Sequence, residues 1–579
     1  MLKFLKRIGN KWWLYIFIVL FTIFQVVCDF LIPLMLGAII AKLQAGEFGS
    51  GDIVYYSILM AIAALISGVS AILVGKFGSS ATSYIIANLR SEIFKKISSF
   101  SSEEMNKFSA SSLLTRTTND LTNISNTYNI MFRFVLYGPL MTIAAFVYLL
   151  TSALKAWQLI LCVLAAVILL ILSLYVLCKI VLPKFRAIQG KFDRVNLVTK
   201  ENLEGLRVVR AYNAEDYQKE KFEKINEDLM ITDRFANTGI NALFPVIQVV
   251  VGILLVATAW ISAPLIDGGA ITYAEMTVVS QLSILLLLGF IMMAFIFVQL
   301  PRSIICARRV NEVLEQPFSI VSSTKNGHGN EIGSIEFRNV TFKYPGADVP
   351  AVKNVSFKVT QGQTIAFIGA TGAGKTSILN LIPRFYDATE GEVLVDGVNV
   401  KDYKLDNLLA KFGYVPQKAY LFHASLRDNV CLGVPGATDE QFQRALDISQ
   451  SSEFVSKLKG QGDFEISQGG KNVSGGQRQR LSIARAIIMD PEIFLFDDSF
   501  SALDYKTDKV LRGEIKKQCK KATSVIVAQR VGTIMDADII VCIDNGAVAG
   551  IGTHKELLKN CAVYKEIALS QLSKEELEK

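Results

Sequence analysis

Gly369-Ala370-Thr371-Gly372-Ala373-Gly374-Lys375-Thr376 follows the apolar run Ile365–Ile368 and opens into a helix-like segment at Ser377. A buried strand, a glycine-rich turn and a helix start, in that order, make a phosphate cradle. The glycines let backbone N–H groups turn inward, and the helix N-terminus adds a positive end. In this reading Gly369, Ala370, Thr371, Gly372, Ala373, Gly374, Lys375, Thr376 and Ser377 bind the phosphates of a nucleotide. Lys375 bridges the terminal phosphates and the Thr376 hydroxyl ligates Mg2+. GTPases and kinases share this motif, so the rest of the chain must narrow it.

The surroundings divide the chain. From Ser334 onward short β-branched runs alternate with helical segments, the pattern of an α/β domain. Before it, Ser322 to Gly333 is rich in Gly, Asn and Ser and reads as a linker. The chain is 51% apolar over 579 residues, and the apolar residues crowd into its first 300 or so. Runs at 13–43, 54–75, 131–153, 157–182, 238–263 and 276–300 are each long enough to cross a bilayer as a helix of about 20 residues. These runs set the expected boundaries: a membrane domain over 1–317, a linker over 318–333 and a soluble α/β domain over 334–579.

Charge agrees with that topology. Lys3, Lys6, Arg7 and Lys11 precede Trp12 and Trp13, as a cytoplasmic end with an aromatic anchor would. The expected external loops, near 44–52, 154–156 and 264–275, hold Glu47, Asp52, Lys155, Asp267 and Glu275, while the intervening inside segments are rich in Lys and Arg. The net charge of +8 is thus a consequence of the positive-inside rule and not a sign of nucleic-acid binding. The first apolar run lacks a small-residue cleavage site and reads as a span. Eight scattered cysteines form no paired framework, and three histidines leave little for a metal site.

Three further stretches carry chemistry. Asn472-Val473-Ser474-Gly475-Gly476-Gln477-Arg478-Gln479-Arg480 places Ser474 and the following N–H groups ahead of a helix, where they can grip a γ-phosphate. Ile493-Phe494-Leu495-Phe496-Asp497-Asp498 is a buried-strand run ending in two acids, followed by Ser499 to Asp504. Val525-Ile526-Val527-Ala528-Gln529-Arg530 is another strand with a polar end. With the phosphate loop, their order resembles the ATP-binding cassette (ABC) proteins, and the whole chain resembles one half of an ABC exporter. The resemblance implies six membrane helices with long cytoplasmic extensions fused to one P-loop nucleotide-binding domain. The chain would be a multi-pass protein of the cell membrane with its N-terminus and ATP-binding domain in the cytoplasm.

The resemblance also assigns roles. Tyr344, in Phe342-Lys343-Tyr344-Pro345-Gly346, would stack on adenine. Gln417, in Tyr414-Val415-Pro416-Gln417, would sense Mg2+, and Asp497 would hold it through water. Ser474, Gly475, Gly476 and Gln477 would complete the ATP site of a second chain, since two such cassettes close head to tail. Ser109–Thr117 and Val209–Glu215 would be the coupling elements.

Two positions depart from the family pattern. The hydrolytic acid, normally glutamate, is Asp498, whose carboxylate falls roughly 1–1.5 Å short of the attacking water. The switch histidine is Gln529, which can hydrogen-bond a phosphate but carries neither the charge nor the proton of an imidazole. These departures imply the degenerate half of a heterodimeric exporter, with a second ABC half-transporter as partner and a hydrophobic compound as cargo. A slow homodimeric lipid or peptide exporter is the alternative. For Asp29, inside the first span, three readings stand: a site for a cationic amphiphile, a position near the outer interface, or pairing with a neighbouring helix.

Overall fold

The computed structural model describes residues 2–572 apart from 47–49, 153–156, 325–326 and 328, so the expected loop positions of Glu47 and Lys155 lie outside the described residues. The chain divides into two compact units: Met1–Ser98 with Ala110–Gln316, and Ser99–Ser109 with Pro317–Lys579.

The first unit is helical. Among the described residues, five helical spans are long and apolar enough to cross a membrane: Trp13–Ala45, Gly51–Ser98, Ala110–Thr151, Pro245–Asp267 and Tyr273–Met293. The expected span at 157–182 lies in the helix Trp157–Glu204, whose described apolar stretch is Trp157–Ser173. Several helices outrun the hydrocarbon. Ser50–Ser98 has 49 residues, about 74 Å at 1.5 Å per residue, against a core of about 30 Å. Each surplus is polar and charged, as sequence projecting into water must be.

Small residues set the helix contacts, since lipid removes the hydrophobic incentive for helices to associate. Gly138 and Gly289 bring the helices Tyr137–Ser152 and Tyr273–Glu315 together so closely that a Cβ at Gly289 would lie 2.9 Å from the Gly138 carbonyl and 2.3 Å from Thr142 Oγ1. Asp29 is fully partnered: Ser67 donates to one carboxylate oxygen at 2.5 Å and Tyr137 to the other at 2.7 Å. Of its readings, pairing with neighbouring helices is the one these bonds support.

The second unit contains the expected α/β domain. Its main sheet runs in the order Ala547–Gly552, Ile539–Asp544, Thr364–Ile368, Thr523–Val527, Ile493–Asp497, Phe412–Val415. All pairings are parallel except the outermost, Ile539–Asp544 with Ala547–Gly552. Ile493–Asp497 is buried at all five positions, which its unbroken apolar run anticipates. An antiparallel sheet built on Ile335–Phe342 packs beside it.

The coupling element differs from expectation. The helix that groups with the α/β unit is Ser102–Phe108, where Asn106 donates to the Tyr386 hydroxyl at 2.9 Å and Glu104 accepts from the Ser319 N–H at 2.6 Å. Ser109–Thr117 instead begins the return: after Ser109, at φ +54°, the helix Ala110–Thr117 belongs to the membrane unit. A capping box at Ser101 and Glu104 starts this helix, a local signal that the charge-rich pattern of the region obscured. Val209–Glu215 forms the end of one helix, a turn at Asn213, and the first residue of the next.

The glycine contact gives a stability test. Gly289→Leu should lower the thermal midpoint of the protein in nanodiscs by the equivalent of about 1–3 kcal/mol of overpacking. Gly252→Leu, where an added Cβ meets nothing within 4 Å, should leave it unchanged in the same melting experiment.

Candidate nucleotide site

The phosphate loop leaves the carboxyl end of the central strand Thr364–Ile368 and enters the helix Lys375–Leu381. Gly374 is required twice over. Its φ is +99°, and a Cβ there would sit 2.3 Å from the Ala351 carbonyl oxygen. Lys375 folds back over the loop and donates to the carbonyls of Gly369 and Ala370 at 2.9 and 2.8 Å. Thr376 donates to Asp497 at 2.9 Å, so two oxygens suited to a hard divalent cation converge at the base of the loop. Ser377 meets the Tyr344 hydroxyl at 2.9 Å. The Tyr344 ring packs edge-on against Phe342 and Tyr386, at 4.7 and 5.2 Å between centroids.

A second cluster forms around Asp498, which sits in the left-handed region at φ +46°. Gln529 donates to its Oδ2 at 3.0 Å and Gln417 reaches the same oxygen at 3.4 Å. The structure therefore joins Gln417 and the two departures, Asp498 and Gln529, in one hydrogen-bonded group. Ser474 and Gln477 cap the start of their own helix reciprocally, with Gln477 accepting from the Ser474 N–H at 2.9 Å. They leave the signature backbone at a helix N-terminus.

One residue escaped the sequence reading altogether. Gln571, at the end of the helix Ala562–Gln571, accepts from the Val531 N–H and donates to the Gln529 carbonyl, both at 2.8 Å. It clasps the loop that carries Gln529. No motif marks it, because its role is to bond backbone 40 residues away.

Comparison with known proteins identifies the family and the fold. Residues 15–298 match the model of the ABC transporter transmembrane region, and residues 352–501 match that of the ABC transporter. An ABC transporter ATP-binding protein of Mycobacterium tuberculosis is 35% identical over 490 residues, covering 84% of this chain and 83% of its own length. The chain belongs to the ABC transporter family. An ATP-dependent lipid A-core flippase of Haemophilus influenzae is 28% identical over 496 residues, covering 84% of this chain and 83% of that one. The solved structure of a bacterial Atm1-family ABC exporter superposes with a TM-score of 0.77 at 21% identity, covering 96% of this chain and 98% of the other. This ABC transporter is thus a multi-pass membrane protein whose ATP-binding domain is cytoplasmic.

Burial governs the charges of the ATP site. It pushes the carboxyls of Asp497 and Asp498 above the ordinary range, partly offset at Asp497 by the Thr376 bond and at Asp498 by the Gln417 bond. Burial likewise lowers the Lys375 ammonium, against the pull of Asp498 and Asp497. A carboxyl whose folded pKa is raised favours folding below its unfolded value, and that gain is lost as pH rises through the folded value. The ionised Asp498 therefore costs the ATP-free protein stability at neutral pH. Asp498→Asn should raise the thermal midpoint there, and the difference from wild type should shrink as pH falls toward 4 or so, the ordinary Asp value. Melting curves across pH check this. Lys375→Ala should weaken ATP binding by roughly tenfold or more, since a desolvated charge-assisted contact is lost, as a fluorescent ATP analogue would report.

Proposed function

We propose that the chain is the degenerate-site half of a heterodimeric ABC exporter that expels hydrophobic or amphipathic compounds, as multidrug exporters do. Residues 1–317 would form the transport path and 334–579 the motor, with 318–333 between them. The observation that carries this reading is the bonding at Asp498, where an amide, Gln529, donates to a carboxylate one methylene short of the family's glutamate. An amide holds that carboxylate without accepting a proton from it or lending it charge. A misplacement of about 1 Å at a hydrolytic group costs on the order of 10²-fold in rate.

The binding parts are kept. Thr376, bonded to Asp497, would hold Mg2+ with it, and Gln417, close by at Asp498, would sense the ion. Lys375, released from the Gly369 and Ala370 carbonyls, would turn to the terminal phosphates. ATP bound with Mg2+ supplies the phosphoryl group whose transfer to water drives the cycle. At this chain's own site that transfer is slow, so ATP is retained. At the other site the partner supplies its own acid and this chain supplies Ser474, Gly475, Gly476 and Gln477. Closure of the two cassettes would switch the membrane helices outward, and hydrolysis at the partner's site would reset them.

Likeness to the lipid A-core flippase favours a second reading, a homodimeric lipid exporter with two slow sites. Turnover and oligomeric mass measured on the chain alone in nanodiscs separate the two. The heterodimer reading expects ATP bound and near-zero turnover, and Asp498→Glu should raise turnover by less than about 10²-fold, because Gln529 is left in place. In the complex, replacing the partner's catalytic acid should abolish transport. Robust turnover from a homodimer would overturn it.

A further inference from the structure

A cavity of about 230 Å³ opens between the helix Tyr505–Gln518 and the strands that end in Asp497 and Val527. Phe496, Phe500 and Ile526 supply apolar lining, with the first two rings 4.9 Å apart. Lys509, Arg512, Lys516 and Lys520 line it as well. The first three fall on one stripe of the helix, at i, i+3 and i+7, and Lys520 follows just past its end. Arg512 is committed to buried Asp508 at 2.8 Å. Lys509, Lys516 and Lys520 form no ion pair among the described residues, and Asp536 is the only carboxylate in the described lining.

The three lysines are exposed, and together they leave a local excess of positive charge beside the apolar lining. Like charges three or four residues apart repel. Lys509 lies early in its helix, where the dipole disfavours a cation. An anion above an apolar floor would offset both. The volume is below the 300 Å³ or so of a drug-sized pocket and equals about eight waters at ~30 Å³ each, enough for one aromatic ring or a short acyl chain.

We propose that this cavity binds a small amphipathic anion, an aryl or short-chain acyl carboxylate, with its apolar body on Phe496, Phe500 and Ile526 and its carboxylate among Lys509, Lys516 and Lys520. The occupant touches the residue before Asp497 and the second residue after Asp498, so it braces the ATP site from behind without entering it.

A fluorinated benzoate, followed by fluorine NMR line broadening with the full chain in nanodiscs, tests the site. Gly513 lines the cavity, and a Cβ added there meets nothing within 4 Å, so Gly513→Leu fills the space without a clash. Saturable broadening beyond that of empty nanodiscs is expected. Gly513→Leu, Lys516→Glu and substitution of the neutral benzamide isostere should each weaken binding by about tenfold, the size of one charge-assisted contact. Broadening no greater than in empty nanodiscs, equal binding of the benzamide, or intact binding in Gly513→Leu would overturn the proposal. Retained ATP binding confirms that the variants are folded. If Gly513→Leu fails that control, Lys516→Glu and the benzamide decide the matter.

Discussion

Two adjacent carboxylates, Asp497 and Asp498, sit almost completely out of water at the end of a fully buried strand. Everything around the ATP site can be understood as the provision of donors for them. Thr376 serves the first, Gln417 and Gln529 serve the second, and Lys375 supplies a positive charge nearby. Isolated buried charges are too costly to keep. The strand order that brings the loops after Thr364–Ile368, Phe412–Val415 and Thr523–Val527 to one edge is therefore a condition for the acids to exist there at all.

The membrane unit meets the same demand in a different solvent. Asp29 accepts hydrogen bonds from hydroxyls on two other helices, and Asp120 accepts from Arg309 at 2.9 Å. Close glycine contacts elsewhere let backbones approach where side chains would hold them apart. Polar bonds and small residues together replace the hydrophobic drive that the soluble unit uses.

Most of this was legible in the sequence, for identifiable reasons. The phosphate loop, the strand ending in two acids and the signature helix are local patterns whose residues are consecutive, so their elements and neighbours could be read in advance. The apolar runs announced the membrane helices for the same reason. The helix that groups with the α/β unit lies several residues before the expected one because charge periodicity is the same on both sides of Ser109, and only the left-handed turn there divides them. Gln571 was invisible because it recognises backbone, which has no sequence signature. The partnering of Asp29 by Ser67 and Tyr137 joins three separate helices and could not be inferred from any one of them.

The clasp made by Gln571 also orders events in time. The loop bearing Gln529 gains its two anchoring bonds only when the chain has been made as far as residue 571. At about 5–20 residues per second, the 255 residues between Gln316 and Gln571 take on the order of 10–50 s to synthesise. The membrane helices are made before that interval begins, and the ATP site is finished last. A ribosome-bound chain thus carries its transport path well before it carries a completed motor.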